Sequence, residues 1–520
     1  MNSPQEQTAP PDERQVGLLL TATACLSLLL LYWPALNAGP LVLDEHGSYW
    51  MLESEEPATV WQRCLSYGAV PPLYSWLQQG SLACLGKTEL ALRLPGLLGA
   101  LLAVGLISQL GRHLHAPVCG GLAACLLVWH PDALDEIRIA RCYGVLLGWS
   151  AALLWATQFW RARIADWRRG LLWGLLATAM LWTHYTVVPY LGLCLVVIIL
   201  CSLRDVPWRE WLPPVLLAGC VIAALCWPLL PAIQRLSDWS HYLNLMAPEQ
   251  PWWNIVTAYW WLGLPAGLVV GMIVSRGNRW AIPELPQKLL EVWWQTWPWL
   301  LCSLLPIALL AVVAVGDLSS LANPRYRVVY APASALAVAL LLSRLFPLRG
   351  RLAALVVVLG LSWSLTPLRP WELGRLGSPA DQNWYALSLR LQSQATPHTP
   401  IFVQSGLVES SLVPAFVHDR LFLEYVACRV SRFYVSQPHP RIGLPFVWDQ
   451  QVEVDFGELL QQLGAEELWI AAATDTDLNL SSVAGFERVL DRQGYRLAEN
   501  TSWEHATLKK FVRSAEHARR

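Results

Sequence analysis

Long apolar runs separated by short polar breaks dominate the chain. The first, residues 16–36 (VGLLLTATACLSLLLLYWPAL), is long enough to cross a bilayer as a helix. Further apolar runs fall near 94–110, 117–134, 143–160, 170–183, 185–201, 213–231, 253–274, 297–316, 327–345 and 351–367. The pattern predicts about eleven spans, give or take one or two, because 170–201 is nearly continuous. The first fifteen residues are polar and partly acidic, unlike a basic signal-peptide start, so 16–36 reads as a retained anchor.

The breaks themselves alternate. One set is basic: RHLH at 112–115, RARIADWRR at 161–169, RDVPWRE at 204–210, SRGNRW at 275–280 and SRLFPLRGR at 343–351. The positive-inside rule places that set, and the tail 1–15, in the cytoplasm. An odd number of spans then puts the C-terminus outside. The first outer loop, 37–93, is long enough for helices of its own. WQRCLSYG and PPLYSWLQQGSLACLG have apolar residues at helical spacing, with Pro71-Pro72 as a break, and read as amphipathic helices in the interface.

After 367 the pattern changes. Residues 368–381 are rich in Pro and Gly and read as a linker. Residues 382–520 read as a small soluble α/β domain: NWYALSLRLQSQA as a helix, PIFVQS as a strand, DFGELLQQLGA as a helix and ELWIAAAT as a buried strand. The expected fold is thus a polytopic α-helical membrane protein, 16–367, with an extracytoplasmic C-terminal α/β domain.

Composition agrees. Only 14% of the 520 residues are charged, against about a quarter in soluble domains. The net charge of −1 gives no basic field for nucleic acid. Many of the thirty Trp (Trp33, Trp129, Trp182, Trp227, Trp252, Trp253 and Trp297 among them) sit at the ends of apolar runs, as an aromatic belt does. The twelve Cys show no ligand spacing for a structural zinc and behave as small hydrophobes.

The polar groups that could do chemistry gather on the outer face. Asp44-Glu45 follows the first span. Asp132, Asp135, Glu136, Arg138, Arg141 and Tyr143 occupy the second outer loop. His184-Tyr185, Asp238, His241, Asp317 and NPRYR at 323–327 complete the set. Carboxylates at a membrane surface are costly against lipid and belong in a walled, watered site. The competing readings are local: Asp44 capping the helix that follows, the acids as a solvated loop, Arg325 and Arg327 snorkelling, and His184 bonded within the bundle.

Five motifs in order carry a family resemblance: Asp44-Glu45, PPLYSWLQQGSLACLGKTELALRLPG, RIARCYG, HYTVVPY and NPRYRVVYAPA. Over roughly 15–345 the chain resembles polytopic C-type glycosyltransferases, in particular the protein O-mannosyltransferases and the aminoarabinose transferases of lipid A. The resemblance implies transfer of a sugar from a polyprenyl-phosphate donor to a hydroxyl on a lipid, protein or glycan at the outer face of a bacterial plasma membrane. It implies Asp44 as the base that takes the acceptor's proton, with Glu45 orienting the acceptor or the base. Arg141 and Tyr143 match the family's Arg-x-Tyr and, with Arg138, His184, Tyr185, Arg325 and Tyr326, would contact the donor sugar or its phosphate. Arg93 would support packing. Asp44, Asp135 and Glu136 could hold a divalent metal, Mg²⁺ or Mn²⁺, which carboxylate oxygens suit. One departure stands out: many relatives carry Lys or His before Pro-Pro, where this chain has Val70. A transporter or flippase of lipid-linked sugars is the alternative, though no repeated halves are visible. A non-catalytic membrane scaffold is another.

Overall fold

The computed structural model describes residues 11–37, 39–54, 56–66, 71–114, 117–203, 206–234, 323–365, 378–405 and 419–514, with a few positions between 293 and 309. The predicted span 253–274, half of 297–316, Asp238, His241 and Asp317 lie outside the described residues.

The first apolar run forms helix α1 (Pro11–Asn37). Leu18, Leu19, Leu26 and Leu30 stay exposed on it. In water such a stripe would be a liability; along a spanning helix it is the face offered to lipid. Five described helices are long and apolar enough to cross a membrane: Glu13–Tyr32, Glu89–His113, Tyr185–Ser202, Trp208–Gln234 and Arg325–Arg344. The runs at 143–160 and 170–183 are also helical.

The centre of the bundle is α5 (Glu89–His113) against α8 (Tyr143–Arg161), with α6 (Pro117–Val128) filling the side. Lipid offers helices little hydrophobic drive to associate, so close backbone approach has to supply it. Glycines permit that approach. A Cβ on Gly99 would lie 2.4 Å from the carbonyl oxygen of Gly144, and one on Gly144 would lie 2.5 Å from that of Gly96. Buried polar contacts add specificity: Ser150 donates to the Val329 carbonyl at 2.5 Å.

Two runs that look continuous are broken. The run 117–134 ends its helix at Val128, and α7 (Pro131–Glu136) starts afresh, with His130 Nδ1 accepting the Asp132 N–H. The stretch 170–201 splits into α9 (Trp167–Leu181) and α10 (Val188–Ser202), with a 3₁₀ turn, Tyr185–Val187, capped by His184 between them. Helix α11 (Trp208–Cys226) packs on α9. Later come α12 (Pro324–Arg327), α13 (Ala331–Leu345) and α14 (Leu348–Leu365). The Arg351–Glu13 ion pair at 3.6 Å brings the start of α14 to the start of α1, at one end of the bundle.

At the other end, α1 leads into three short helices, α2 (Leu43–Leu52), α3 (Pro57–Ser66) and α4 (Leu73–Leu85). The C-terminal residues build a five-stranded mixed sheet in the order β2-β1-β3-β5-β4. Strand β1 (Ile401–Gln404) runs parallel to β2 (Arg441–Gly443) and β3 (Glu467–Ala473). The pair β4 (Tyr495–Ser502) and β5 (Ala506–Arg513) closes the sheet antiparallel. Helices α15 (Pro379–Gln394), α17 (Gln450–Leu463) and α18 (Asp477–Arg492) cover it, and α16 (Arg420–Val426) faces the bundle.

Docking of the two parts is specific. Phe422, Val426, Cys428 and Phe446 share a buried cluster with Trp50, Met51, Val60 and Cys64. The Tyr434 hydroxyl donates to Glu89 at 2.9 Å and accepts the Leu41 N–H at 2.8 Å. Glu53 receives Arg441 at 2.9 Å and the Arg432 N–H at 2.8 Å. Apolar burial with satisfied polar neighbours fixes one orientation, and that orientation sets α16 beside α2.

Candidate active site

Three residues far apart in sequence meet at the start of α2. Asp44 sits in its first turn. The Arg325 guanidinium, at the start of α12, lies 3.6 Å from the Asp44 carboxylate. Arg141, in the turn between α7 and α8, reaches the Asp44 carbonyl oxygen at 3.5 Å. The Asp44 side chain is 42% exposed and therefore open to a ligand. The arrangement is one accessible carboxylate beside two guanidiniums.

The neighbouring acid behaves differently. Glu45 is fully buried and accepts from Arg93 Nε and Nη2, both at 2.7 Å, from the Ala140 N–H at 2.6 Å and from the Val42 N–H at 2.9 Å. All its acceptor capacity is used. Glu45 therefore ties α2, α5 and the 137–142 turn together, and it is also the side chain that closes back on the helix start. The orienting role expected of Glu45 toward the acceptor or the base would thus act through the frame of α2, and Arg93 is its buried packing partner. Asp132 makes a second buried anchor with Arg327 at 2.8 Å, which holds α12 against α7 and leaves Arg325 facing Asp44.

Aromatic rings form the site's wall. The Arg325 guanidinium lies 4.9 Å from the Tyr326 ring centre, and that of Arg141 lies 6.0 Å from Tyr143. Tyr326 in turn meets Tyr143 at 6.4 Å and His184 at 5.7 Å, and Tyr143 meets His184 at 5.8 Å. Burial, reinforced by Arg141 and Arg325, pushes the His184 pKa down to about 3. Its Nδ1 accepts the Thr186 N–H at 3.2 Å. A neutral imidazole with Nδ1 accepting carries its proton on Nε2 and can only donate there.

The other predicted residues are dispersed. Tyr185, adjacent to His184, instead packs with Leu229, Ala232, Trp61 and Trp182 in a separate apolar cluster. One residue along a chain turns a side chain to another face, and here the 3₁₀ turn parts them. Arg138 is half-buried in the turn that carries Arg141, and Glu136 is half-buried at the end of α7. The side chain of Asp135 lies outside the described residues.

A divalent ion does not fit this donor set. The Asp44 carboxylate faces guanidiniums, whose charge opposes a second cation. Among the described residues no group of three His, Cys, Asp or Glu side chains comes together.

One neighbour was not foreseen. Tyr425, from α16, reaches α2 at Gly47, where a Cβ would lie 2.9 Å from its hydroxyl. Gly47 is the one available signal: a glycine inside a short helix costs about 1 kcal/mol, and close approach of another group is a reason to keep it.

Residues 69–231 match the family model described as dolichyl-phosphate-mannose-protein mannosyltransferase. No curated protein matches at the level of sequence. Among solved structures, ArnT from Cupriavidus metallidurans bound to undecaprenyl phosphate is similar, with a TM-score of 0.55 at 15% identity, over 95% of this chain and 97% of that one. The archaeal oligosaccharyltransferase AglB from Archaeoglobus fulgidus, in complex with an inhibitory peptide and a dolichol-phosphate, gives a TM-score of 0.52 at 12% identity over 96% and 74% of the two chains. An Archaeoglobus fulgidus oligosaccharyltransferase in complex with Zn and sulfate gives 0.51 at 14%, over 92% and 71%. These likenesses establish a shared fold across nearly the whole chain. With the family match over 69–231 they bear out the resemblance carried by the sequence motifs: the chain is a multi-pass membrane protein with the fold of C-type glycosyltransferases, similar to the protein mannosyltransferases and ArnT.

Proposed function

We propose that the enzyme moves a sugar from a polyprenyl-phosphate donor to an acceptor hydroxyl at the extracytoplasmic face, with inversion at the anomeric carbon. The observation that carries this reading is the accessible carboxylate of Asp44 beside Arg141 and Arg325. A phosphate-linked sugar needs little acid assistance, since the phosphate already leaves readily. Two tasks remain: a base for the acceptor's proton and cations for the departing phosphate. Asp44 takes the acceptor's proton as its oxygen attacks the anomeric carbon. The bond from that carbon to the phosphate oxygen breaks, and Arg141 and Arg325 hold the released polyprenyl phosphate, a geometry that guanidinium suits.

Support for the donor comes from the similar proteins: the ArnT structure holds undecaprenyl phosphate and the AglB structure a dolichol-phosphate. Support for the orientation comes from the basic loops, and from Glu13 and Arg351 meeting at the end away from Asp44. Glu45, Arg93, Asp132 and Arg327 hold the frame, while Tyr143, Tyr326 and His184 offer ring faces and an N–H donor to a sugar. No step runs through a metal.

The test is compositional. Mass analysis of a deletion strain should show loss of one sugar from surface glycans, glycolipids or glycoproteins, and build-up of the matching polyprenyl-phosphate sugar. Unchanged surface sugars together with an unchanged lipid-linked pool would contradict the proposal.

A further inference from the structure

We propose that the C-terminal domain completes the donor site: the Tyr425 hydroxyl joins Arg141 and Arg325 as a third hydrogen-bond donor to the phosphate of the polyprenyl-phosphate carrier. The inference rests on the function proposed above and extends it to a residue outside the membrane bundle.

The placement of Tyr425 is built from the chain upward. Asp419 caps α16, accepting the N–H groups of Leu421 at 2.9 Å and Phe422 at 3.2 Å. Phe422 and Val426 bury themselves among Trp50, Met51, Val60 and Cys64, so α16 is fastened to α2 and α3. Tyr425, on the same short helix, sets its ring edgewise against Trp50 with centres 5.3 Å apart. Its hydroxyl then arrives over Gly47, which lies three residues beyond Asp44 and so on the same face of α2.

The chemistry of the surroundings does the rest. Tyr425 feels Arg141, Asp44 and Arg325 together, and burial, the largest influence, pushes its pKa up. The phenol is therefore neutral and keeps its proton. Among the described residues that hydroxyl has no hydrogen-bond partner. Guanidiniums are donors only and cannot accept from it. A neutral donor left over beside two cationic donors is a set that lacks an acceptor, and a phosphate group supplies several.

Binding of two lipids to the full chain in nanodiscs tests this: undecaprenyl phosphate, and undecaprenol, which has the same tail and no phosphate. Tyr425→Phe keeps the ring and its contact with Trp50. It should weaken undecaprenyl phosphate about ten-fold, the scale of one hydrogen bond to a charged group, and leave undecaprenol unchanged. Gly47→Ala, which must push the Tyr425 ring aside, should give a loss of the same kind. Wild-type affinity for undecaprenyl phosphate in either variant would overturn the inference. Equal losses for both lipids would also overturn it, by showing a structural role. If the unmodified protein prefers undecaprenol or binds neither lipid, the underlying reading fails, and the role of Tyr425 with it.

Discussion

Replacing Glu45 with Gln separates two neighbouring carboxylates. Glu45 is completely buried and is paired through both oxygens to a completely buried Arg93. A Gln side chain keeps the shape and one acceptor oxygen, but its NH₂ then points at donors: an Arg93 nitrogen and either the Ala140 or the Val42 N–H. Removing one member of a buried ion pair costs about 3 to 5 kcal/mol, because the remaining charge stays without compensation. The loss should fall toward the top of that range, since two backbone donors share the site. Equilibrium unfolding in mixed micelles with increasing SDS would measure it. Glu45→Met combined with Arg93→Met, which removes both charges, should recover a large part of the stability. A Glu45→Gln variant within about 1 kcal/mol of wild type would refute the scaffolding role. So would a double variant less stable than the single one.

Three further outcomes are expected. Arg325→Gln should insert and fold normally and lose about a hundred-fold or more in transfer rate, the scale of one lost electrostatic stabiliser; a loss below about three-fold in a turnover assay would remove Arg325 from the phosphate site. Arg141→Gln should lower turnover to a similar degree and also weaken undecaprenyl phosphate binding. Acidification should destabilise the fold. Burial first, then nearby guanidiniums, lowers the pKa of His46, His130 and His184 from 6.5 to about 3. The unfolded chain binds these protons near pH 6.5 and the folded chain does not, so stability is complete above that pH and falls below it. At pH 5.5 each histidine should cost on the order of 1 kcal/mol, and SDS unfolding between pH 7.5 and 5 that shows a flat profile would contradict the assignment.

Much of the architecture can be read from pattern alone, since a run of twenty apolar residues admits few solutions other than a spanning helix. The assembly of Asp44, Arg141 and Arg325 is legible for the same reason: once the spans alternate, their loops share a face. The partition of roles within each loop is not. Asp44 and Glu45 differ by one position, yet about 100° of helical rotation leaves one open and buries the other on Arg93. His184 and Tyr185 diverge likewise at a 3₁₀ turn that apolar periodicity conceals. Arg325 and Arg327 look equivalent in NPRYR until the buried Asp132 claims the second. Tyr425 lies furthest from prediction, because its place depends on how two separately patterned parts of the chain dock.

The central claim, that Asp44 is the group accepting the proton during sugar transfer, is tested most directly in a deletion strain complemented with Asp44→Asn. The variant should reach the membrane at the wild-type level and bind undecaprenyl phosphate, yet fail to restore the missing surface sugar. Restoration of that sugar by the Asn variant would contradict the account.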